Sequence, residues 1–590
     1  MSTGQEIIQR VSKSNPHLLN PERLWVIGFA SAVMLVTLLP YMLGFANEGE
    51  NWRFTGFLFG VEDGNSYIAK MMAGAAGDWL FYTPYTAYPQ SGVIAFLPYL
   101  ILGKLTSPPA QHVQLVVVYH LFRLGAGILA TLATYDFLSL FISDLKLRRY
   151  GLVLATLGGG LGWVLVLVGK PFWLNSLPLE YYSPESFGFL ALFGLPHLAM
   201  ARALLLWGLV SYLRMDEQSG SMIGIRTIAP GILLLSLGLF QPLTVVVAWA
   251  VLGTHIGILA VREAVRSRSI KLDLRGKWLS MARGAAASIL ISSPIVIYTL
   301  VKFNLDPVLR LWTSQNLIIS PHPGHYLLAY GLLIPFAVGG AYMLVKDKPF
   351  LGWLPAGWVI ILPILAYAPY NLQRRLPEGI WVAFVVLAIA SLENKGTFDR
   401  STELRPGGST RFSFLKGLAL LLALPSTILL YVGGLQAVKE PAWPVYRPAE
   451  EVEAFEYLAK SAPTDAIVLA SYESGNPLPA WAPVRVIVGH GPESIRLEEL
   501  SPQVEGFYSA SGSDADRLDL LERFSAGYVL WGPHEKSLGA WNPARSNYLD
   551  LVYEHGNYSI FEFSGAKSGW DADLRSSTVG IGPQVRAEIP

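Results

Sequence analysis

Ser91-Gly92-Val93-Ile94-Ala95-Phe96-Leu97-Pro98-Tyr99-Leu100-Ile101-Leu102-Gly103-Lys104-Leu105 is the stretch on which the topology turns. It is apolar but short, and Lys104 and Ser107-Pro108-Pro109 end it. A helix needs about twenty apolar residues to cross a bilayer, so this run is either a minimal span or a helix lying in the interface. Longer apolar runs surround it. The first covers 24–45, and others fall near 112–142, 149–168, 188–213, 227–240, 242–262, 280–302, 325–345, 350–368, 376–392 and 414–438. These runs make about eleven spans, or twelve if 91–105 crosses. Charge decides between the two counts. With 91–105 outside, the basic loops fall on one face: Lys146/Arg148/Arg149, Arg214/Arg226, Arg262 to Arg283, Lys346/Lys348, and Lys395 through Lys416. With 91–105 spanning, every later cluster changes sides and opposes Arg10, Lys13 and Arg23. The positive-inside rule favours about eleven spans, the N-terminus in the cytoplasm and the C-terminus outside.

Composition agrees with a membrane protein. Of 590 residues, 52% are hydrophobic and 15% charged, which excludes an ordinary soluble chain. There is no cysteine, so disulfides and thiolate metal sites are excluded and the redox compartment cannot be read. The net charge of +1 says nothing about partners by itself, and no nucleic acid is expected as one. The first run exceeds the 7–15 apolar residues usual in a cleaved signal, so 24–45 reads as a retained helix.

These boundaries give a cytoplasmic segment 1–23, a membrane module 24–438 with its first outer loop at 46–111, an outer domain 439–565 and a flexible tail 566–590. In the outer domain, 450–460 and 514–524 have helical periodicity. Ala466 to Ala470, Val484 to Val488 and Tyr528 to Trp531 read as strands, and 551–553 and 558–561 flank Gly556-Asn557 as a hairpin. The fold class is therefore a polytopic α-helical membrane protein with a small extracytoplasmic α/β domain.

Candidate chemistry collects on the outer face. The loop Gly60-Val61-Glu62-Asp63-Gly64-Asn65-Ser66-Tyr67 carries two adjacent carboxylates, and Ile68 to Met72 reads as a short helix lying on the membrane. Other outer loops hold Glu180 and Glu185, His322 and His325, and Asn371 with Arg374 and Arg375. His197 lies inside its span, as do His120 and Arg123 at i, i+3, and Gln241 interrupts another at Phe240-Gln241-Pro242. Ionisable groups at such depth are costly and point to function, although each could also be another's buried partner. Arg374 and Arg375 stand out on a face otherwise poor in cations. A guanidinium holds phosphate bidentately, while the simpler role is snorkelling to headgroups. Tyr472 to Asn476 and Gly489-His490-Gly491 follow expected strands, where α/β sites lie, although structural turns look the same.

A cytoplasmic N-terminus, a long first outer loop with Glu62-Asp63, about 11–13 spans and an outer domain make the chain resemble the C-type glycosyltransferases. These are polytopic enzymes that use polyprenyl-phosphate-linked sugars, among them protein O-mannosyltransferases, aminoarabinose transferases and oligosaccharyltransferases. The resemblance covers roughly 20–440 as architecture. The Trp-Trp-Asp type motif of oligosaccharyltransferases is absent, which counts against that branch.

The resemblance implies a sugar donor whose lipid tail lies between helices and whose phosphate is held by Arg374 and Arg375. Asp63 would take the proton of an acceptor hydroxyl on a lipid, glycan or protein, with inversion at the anomeric carbon and Glu62 beside it. Glu185, His197, His322, His325, Arg123, Gln241 and Asn371 would line the substrate site. Asp63 and Glu185 could hold a divalent ion, for which oxygen ligands favour Mg2+ or Mn2+. Two other functions fit a polytopic chain. One is a lipid-linked glycan flippase or transporter, although no repeat halves are evident. The other is a non-catalytic scaffold whose outer domain binds a partner.

Overall fold

A computed structural model describes residues 21–215, 225–266, 277–393, 418 and 420–565. The tail 566–590, most of segment 1–23 and the basic loop Lys395 through Lys416 lie outside the described residues.

The chain is mostly helical. Six described helices are long and apolar enough to cross a membrane: Pro21–Ala46, Gln111–Phe141, Pro196–Leu213, Pro242–Val265, Trp278–Leu305 and Pro349–Ala366. Pro323–Tyr330 and Ile334–Asp347 make a seventh if that pair, bent by 69°, counts as one span. This is the make-up of a multi-pass membrane protein. Continuous spans are fewer than apolar runs because several runs are broken. The run 149–168 divides into Leu145–Leu157 and Gly162–Leu167, with Gly158-Gly159-Gly160 between them. The run 188–213 divides at Leu195, where Pro196 opens the second helix. Proline fits a first helical turn, where its missing N–H is not needed.

Ser91 to Leu105 does not form a span. Val93 pairs with Phe81 in an antiparallel bridge, and only Leu97–Gly103 is helical. Seven residues of helix reach about 10 Å, a third of the hydrocarbon thickness.

Two compact units are distinguished. The first comprises Met1–Gly44, Val117–Asn304 and Leu317–Glu440. Its centre is Ile380–Ala390, whose eleven residues are all buried. A helix apolar on every side must be surrounded by others. Here Ile334–Asp347, Pro349–Ile360 and Leu145–Leu157 pack on it, and Trp381 Nε1 donates to the carbonyl of Leu154 at 2.9 Å.

The second unit comprises Phe45–Val116, Leu305–Asn316 and Pro441–Pro590. Strand β1 (Trp52–Phe54) pairs antiparallel with β2 (Tyr446–Pro448), in register Trp52 to Pro448, Arg53 to Arg447 and Phe54 to Tyr446. A five-stranded sheet follows from β3 (Ile467–Leu469), β4 (Arg485–Val486), β5 (Ala526–Trp531), β6 (Leu549–His555) and β7 (Tyr558–Phe563), in the order β4-β3-β5-β7-β6. β3 is parallel to β4 and β5, whereas β7 runs antiparallel to β5 and β6. Leu469, Val488, Phe507, Leu521, Val529 and Phe561 fill the core beneath it. Helix Val61–Ala76 packs on both Leu97–Gly103 and Leu478–Trp481. Its approach to Leu97–Gly103 depends on two glycines. A Cβ on Gly74 would lie 2.1 Å from the Leu100 carbonyl oxygen, and one on Gly103 1.8 Å from that of Met71.

Candidate active site

The acidic pair lies on a helix rather than a loop. Gly60 takes the left-handed conformation (φ 54°), helix Val61–Ala76 starts immediately after it, and Glu62 and Asp63 occupy the first turn. Carboxylates there suit the positive end of the helix dipole. Gly64, Asn65 and Ser66 are poor helix formers, which is why the sequence reads as a loop up to Tyr67. Tertiary bonds override that preference: Asn65 Nδ2 donates to Asn476 Oδ1 at 2.8 Å and Ser66 Oγ to Glu493 Oε1 at 2.9 Å.

Both stretches noted after the C-terminal strands reach this turn. Following β3, Ser471 caps the short helix Tyr472–Gly475. The Tyr472 hydroxyl donates to Glu62 Oε2 at 3.3 Å and accepts from the Gly491 N–H at 2.8 Å. Burial first, and Glu62 beside it, push the Tyr472 phenol up to about 12. Following β4, Ser494 Oγ accepts from the N–H groups of Gly489 (2.9 Å) and His490 (3.0 Å). His490 Nε2 then lies 3.3 Å from Asp63 Oδ1, and its Nδ1 lies 3.6 Å from Glu493 Oε1. The Asp63 side chain is 64% exposed and that of His490 only 11%.

Behind this edge is a buried ion pair. Lys70 Nζ is 2.7 Å from Glu493 Oε1 and also bonds Ser66 Oγ, and it lies 4.5 Å from the centre of the Phe96 ring. Thr83 Oγ1 donates to Glu493 Oε2 at 2.9 Å. Burial alone would raise the Glu493 carboxyl, but Lys70 and then His490 hold it below the ordinary carboxylate value. Lys70, Thr83 and Glu493 carry no sequence signal for this role. They are up to 423 positions apart and meet only through the fold.

In the first unit, Arg374 and Arg375 sit on the 3-10 turn Gln373–Arg375. The Arg374 guanidinium carbon lies 4.4 Å from the centre of the Tyr182 ring, and its buried Nε has no hydrogen-bond partner among the described residues. Arg375 Nε is 3.4 Å from Glu185 Oε1. The Glu185 carbonyl accepts from the Gly379 N–H and from Arg202 Nη2, both at 3.0 Å. The Asn371 carbonyl accepts from the Ile318 N–H at 2.7 Å. His322 Nδ1 accepts from the Gly324 N–H at 3.1 Å and so caps Pro323–Tyr330. His325 is buried, with Nε2 2.7 Å from the Trp173 carbonyl oxygen.

Other expected site residues in this unit lie deeper. Arg123 is fully buried and bonds His120 Nδ1 (3.1 Å), Thr37 Oγ1 (2.8 Å) and the Leu192 carbonyl (3.2 Å). His197 is half-buried in the first turn of Pro196–Leu213, and Gln241 is half-buried between Ile225–Phe240 and Pro242–Arg266. The first unit thus brings Glu185 to Arg375, and the second brings Glu62 and Asp63 to Tyr472, Asn476 and His490. Among the described residues, no group of three or more His, Asp and Glu side chains is arranged to hold a metal ion. No step is assigned to a metal.

By sequence, the chain matches no protein-family model and no curated protein. Its fold is similar to that of several solved structures. The mycobacterial arabinofuranosyltransferase AftD is 14% identical with a TM-score of 0.50, over 90% of this chain and 41% of that one. ArnT from Cupriavidus metallidurans is 12% identical at 0.48, over 91% and 98%. The oligosaccharyltransferase of Archaeoglobus fulgidus in its apo form is 13% identical at 0.48, over 86% and 69%. The chain has the fold of the C-type polytopic glycosyltransferases.

Proposed function

We propose that this chain is a membrane glycosyltransferase that moves a sugar from a polyprenyl-phosphate donor to an acceptor hydroxyl on the extracytoplasmic face. The acceptor oxygen attacks the anomeric carbon, its proton passes to Asp63, and the bond to the lipid phosphate breaks with inversion. Arg374 and Arg375 stabilise the charge that grows on the departing phosphate. The observation that carries this reading is Asp63 itself, an exposed carboxylate fixed on a helical first turn in a chain of this fold. The assay is transfer from radiolabelled polyprenyl-phosphate sugars by the purified protein in nanodiscs. Absence of transfer from every such donor would favour a transporter.

Arg374 has an unused buried donor, whereas Arg375 already leans on Glu185. Arg374→Ala is therefore expected to weaken donor binding most, with Arg375→Ala second. Loss of a desolvated charge contact costs about 2–5 kcal/mol. Unchanged donor affinity in the double variant would assign both arginines to headgroup anchoring.

The proposed orientation places the N-terminus in the cytoplasm, with about eleven crossings. The chain has no cysteine, so single-cysteine variants label cleanly. Exposed Ser107→Cys and Ser511→Cys are expected to react with an impermeant thiol reagent in intact cells, and exposed Ser143→Cys only after lysis. The opposite pattern inverts the protein and removes the proposed site from the outer face.

A further inference from the structure

We propose that His490 is the positioning residue for Asp63, fixing the orientation in which that carboxylate receives the acceptor's proton; this rests on the reading of Asp63 as the base. An Asp side chain 64% exposed on a helix surface has several staggered rotamers open to it. A base that must meet a hydroxyl within hydrogen-bond reach cannot wander among them, because small misplacements are costly in rate. His490 supplies such a constraint. Its Nε2 is 3.3 Å from Asp63 Oδ1, so an Nε2–H donates to the carboxylate.

The imidazole is itself packed in place, although its buried Nδ1 makes no hydrogen bond among the described residues. Ser494 Oγ pins the backbone N–H groups of Gly489 and His490, and the Tyr85 ring lies against the imidazole with centroids 5.2 Å apart. The Tyr85 hydroxyl is anchored on the Asn476 carbonyl at 3.0 Å. On the far side, Nδ1 faces Glu493 Oε1 at 3.6 Å, and Glu493 is fixed by Lys70, Ser66 and Thr83. A series of contacts thus runs from a buried ion pair through His490 to an exposed carboxylate. A base oriented by a partner that is itself oriented is how catalytic groups keep their geometry. His490 comes from the C-terminal α/β segment and Asp63 from the helix after the first apolar run, so the outer domain would complete the acid–base pair rather than merely decorate it.

The test uses the full chain in nanodiscs, with whichever radiolabelled polyprenyl-phosphate sugar the parent transfers. His490→Ala is expected to lower kcat about tenfold or more, the worth of one hydrogen bond to a charged group, with donor KM unchanged. His490→Gln, whose amide keeps a donor near the same place, is expected to recover most of that rate. His490→Phe, which fills the space without a donor, is expected to match His490→Ala. In an Asp63→Asn background, His490→Ala is expected to add no further loss, because it acts only through Asp63. A purely structural histidine predicts instead that Gln and Phe behave alike and that the losses multiply. Either result overturns the positioning role, as does parental kcat in a folded His490→Ala. If the parent transfers sugar and Asp63→Asn does so equally well, the base reading itself falls, a result distinguishable from the first.

Discussion

Asp63→Asn is expected to bind donor as the parent does and to transfer sugar about 10²–10⁴-fold more slowly, the usual worth of general-base catalysis. The substitution keeps the shape of the side chain and leaves an amide oxygen to accept from His490 Nε2. What it removes is the capacity to take a proton. The side chain is 64% exposed and carries no fold-defining burial, so thermal stability should be close to that of the parent. Glu62 occupies the same helical turn but is engaged by the Tyr472 hydroxyl, so Glu62→Gln should cost less. Transfer at the parental rate by Asp63→Asn would take this residue out of the chemistry. Equal losses of rate and donor affinity would make it a binding group instead.

The parts of the fold legible in the sequence are those fixed by local pattern. Val468, Val486 and Val529 lie in short apolar runs bounded by turn residues, and they sit in β3, β4 and β5. Gly556-Asn557 between two apolar stretches makes the β6–β7 hairpin. Tyr446–Pro448 does not read as a strand, yet it forms β2 against Trp52–Phe54. Three-residue strands almost 400 positions apart have no periodicity by which to find each other. The acidic helix was hidden for a related reason. Gly64-Asn65-Ser66 argues for a loop by propensity, and partners far along the chain, Asn476 and Glu493 among them, hold it in the helix. A Gly followed by two acids was the available signal for a helix start. Glu62 and Asp63 were legible as a carboxylate pair, and Gly489-His490-Gly491 as a strand-end turn. Their meeting was not, because no residue near Asp63 encodes a histidine 427 positions away.

Lys70→Met is expected to loosen the unit formed by Phe45–Val116, Leu305–Asn316 and Pro441–Pro590 more than any exposed substitution in it. The ammonium is 1% exposed and the Glu493 carboxylate 5%, so neither reaches bulk water. Deleting one partner of such a pair strands the other and costs about 3–5 kcal/mol. Methionine fills the space among Tyr67, Phe81 and Phe96, so the loss is electrostatic rather than a cavity. The pH dependence separates this cause from simple misfolding. In the parent, the Glu493 carboxyl is held below its ordinary value. Its stabilising contribution is therefore fully present above the unfolded carboxylate value of about 4.3 and is lost as pH falls through the lower folded value. In Lys70→Met, burial is no longer opposed by the ammonium, so the sign reverses: the folded state favours the protonated acid. The penalty is then largest near neutral pH and shrinks as pH falls toward 4.3 and Glu493 is neutralised. Adding Glu493→Gln should recover much of the loss at neutral pH, because the stranded charge is gone. Tryptophan-fluorescence unfolding of the parent, Lys70→Met and the double variant at two pH values measures this. A Lys70→Met penalty that is the same at both values, and that Glu493→Gln does not relieve, would mean the pair does not hold this unit together.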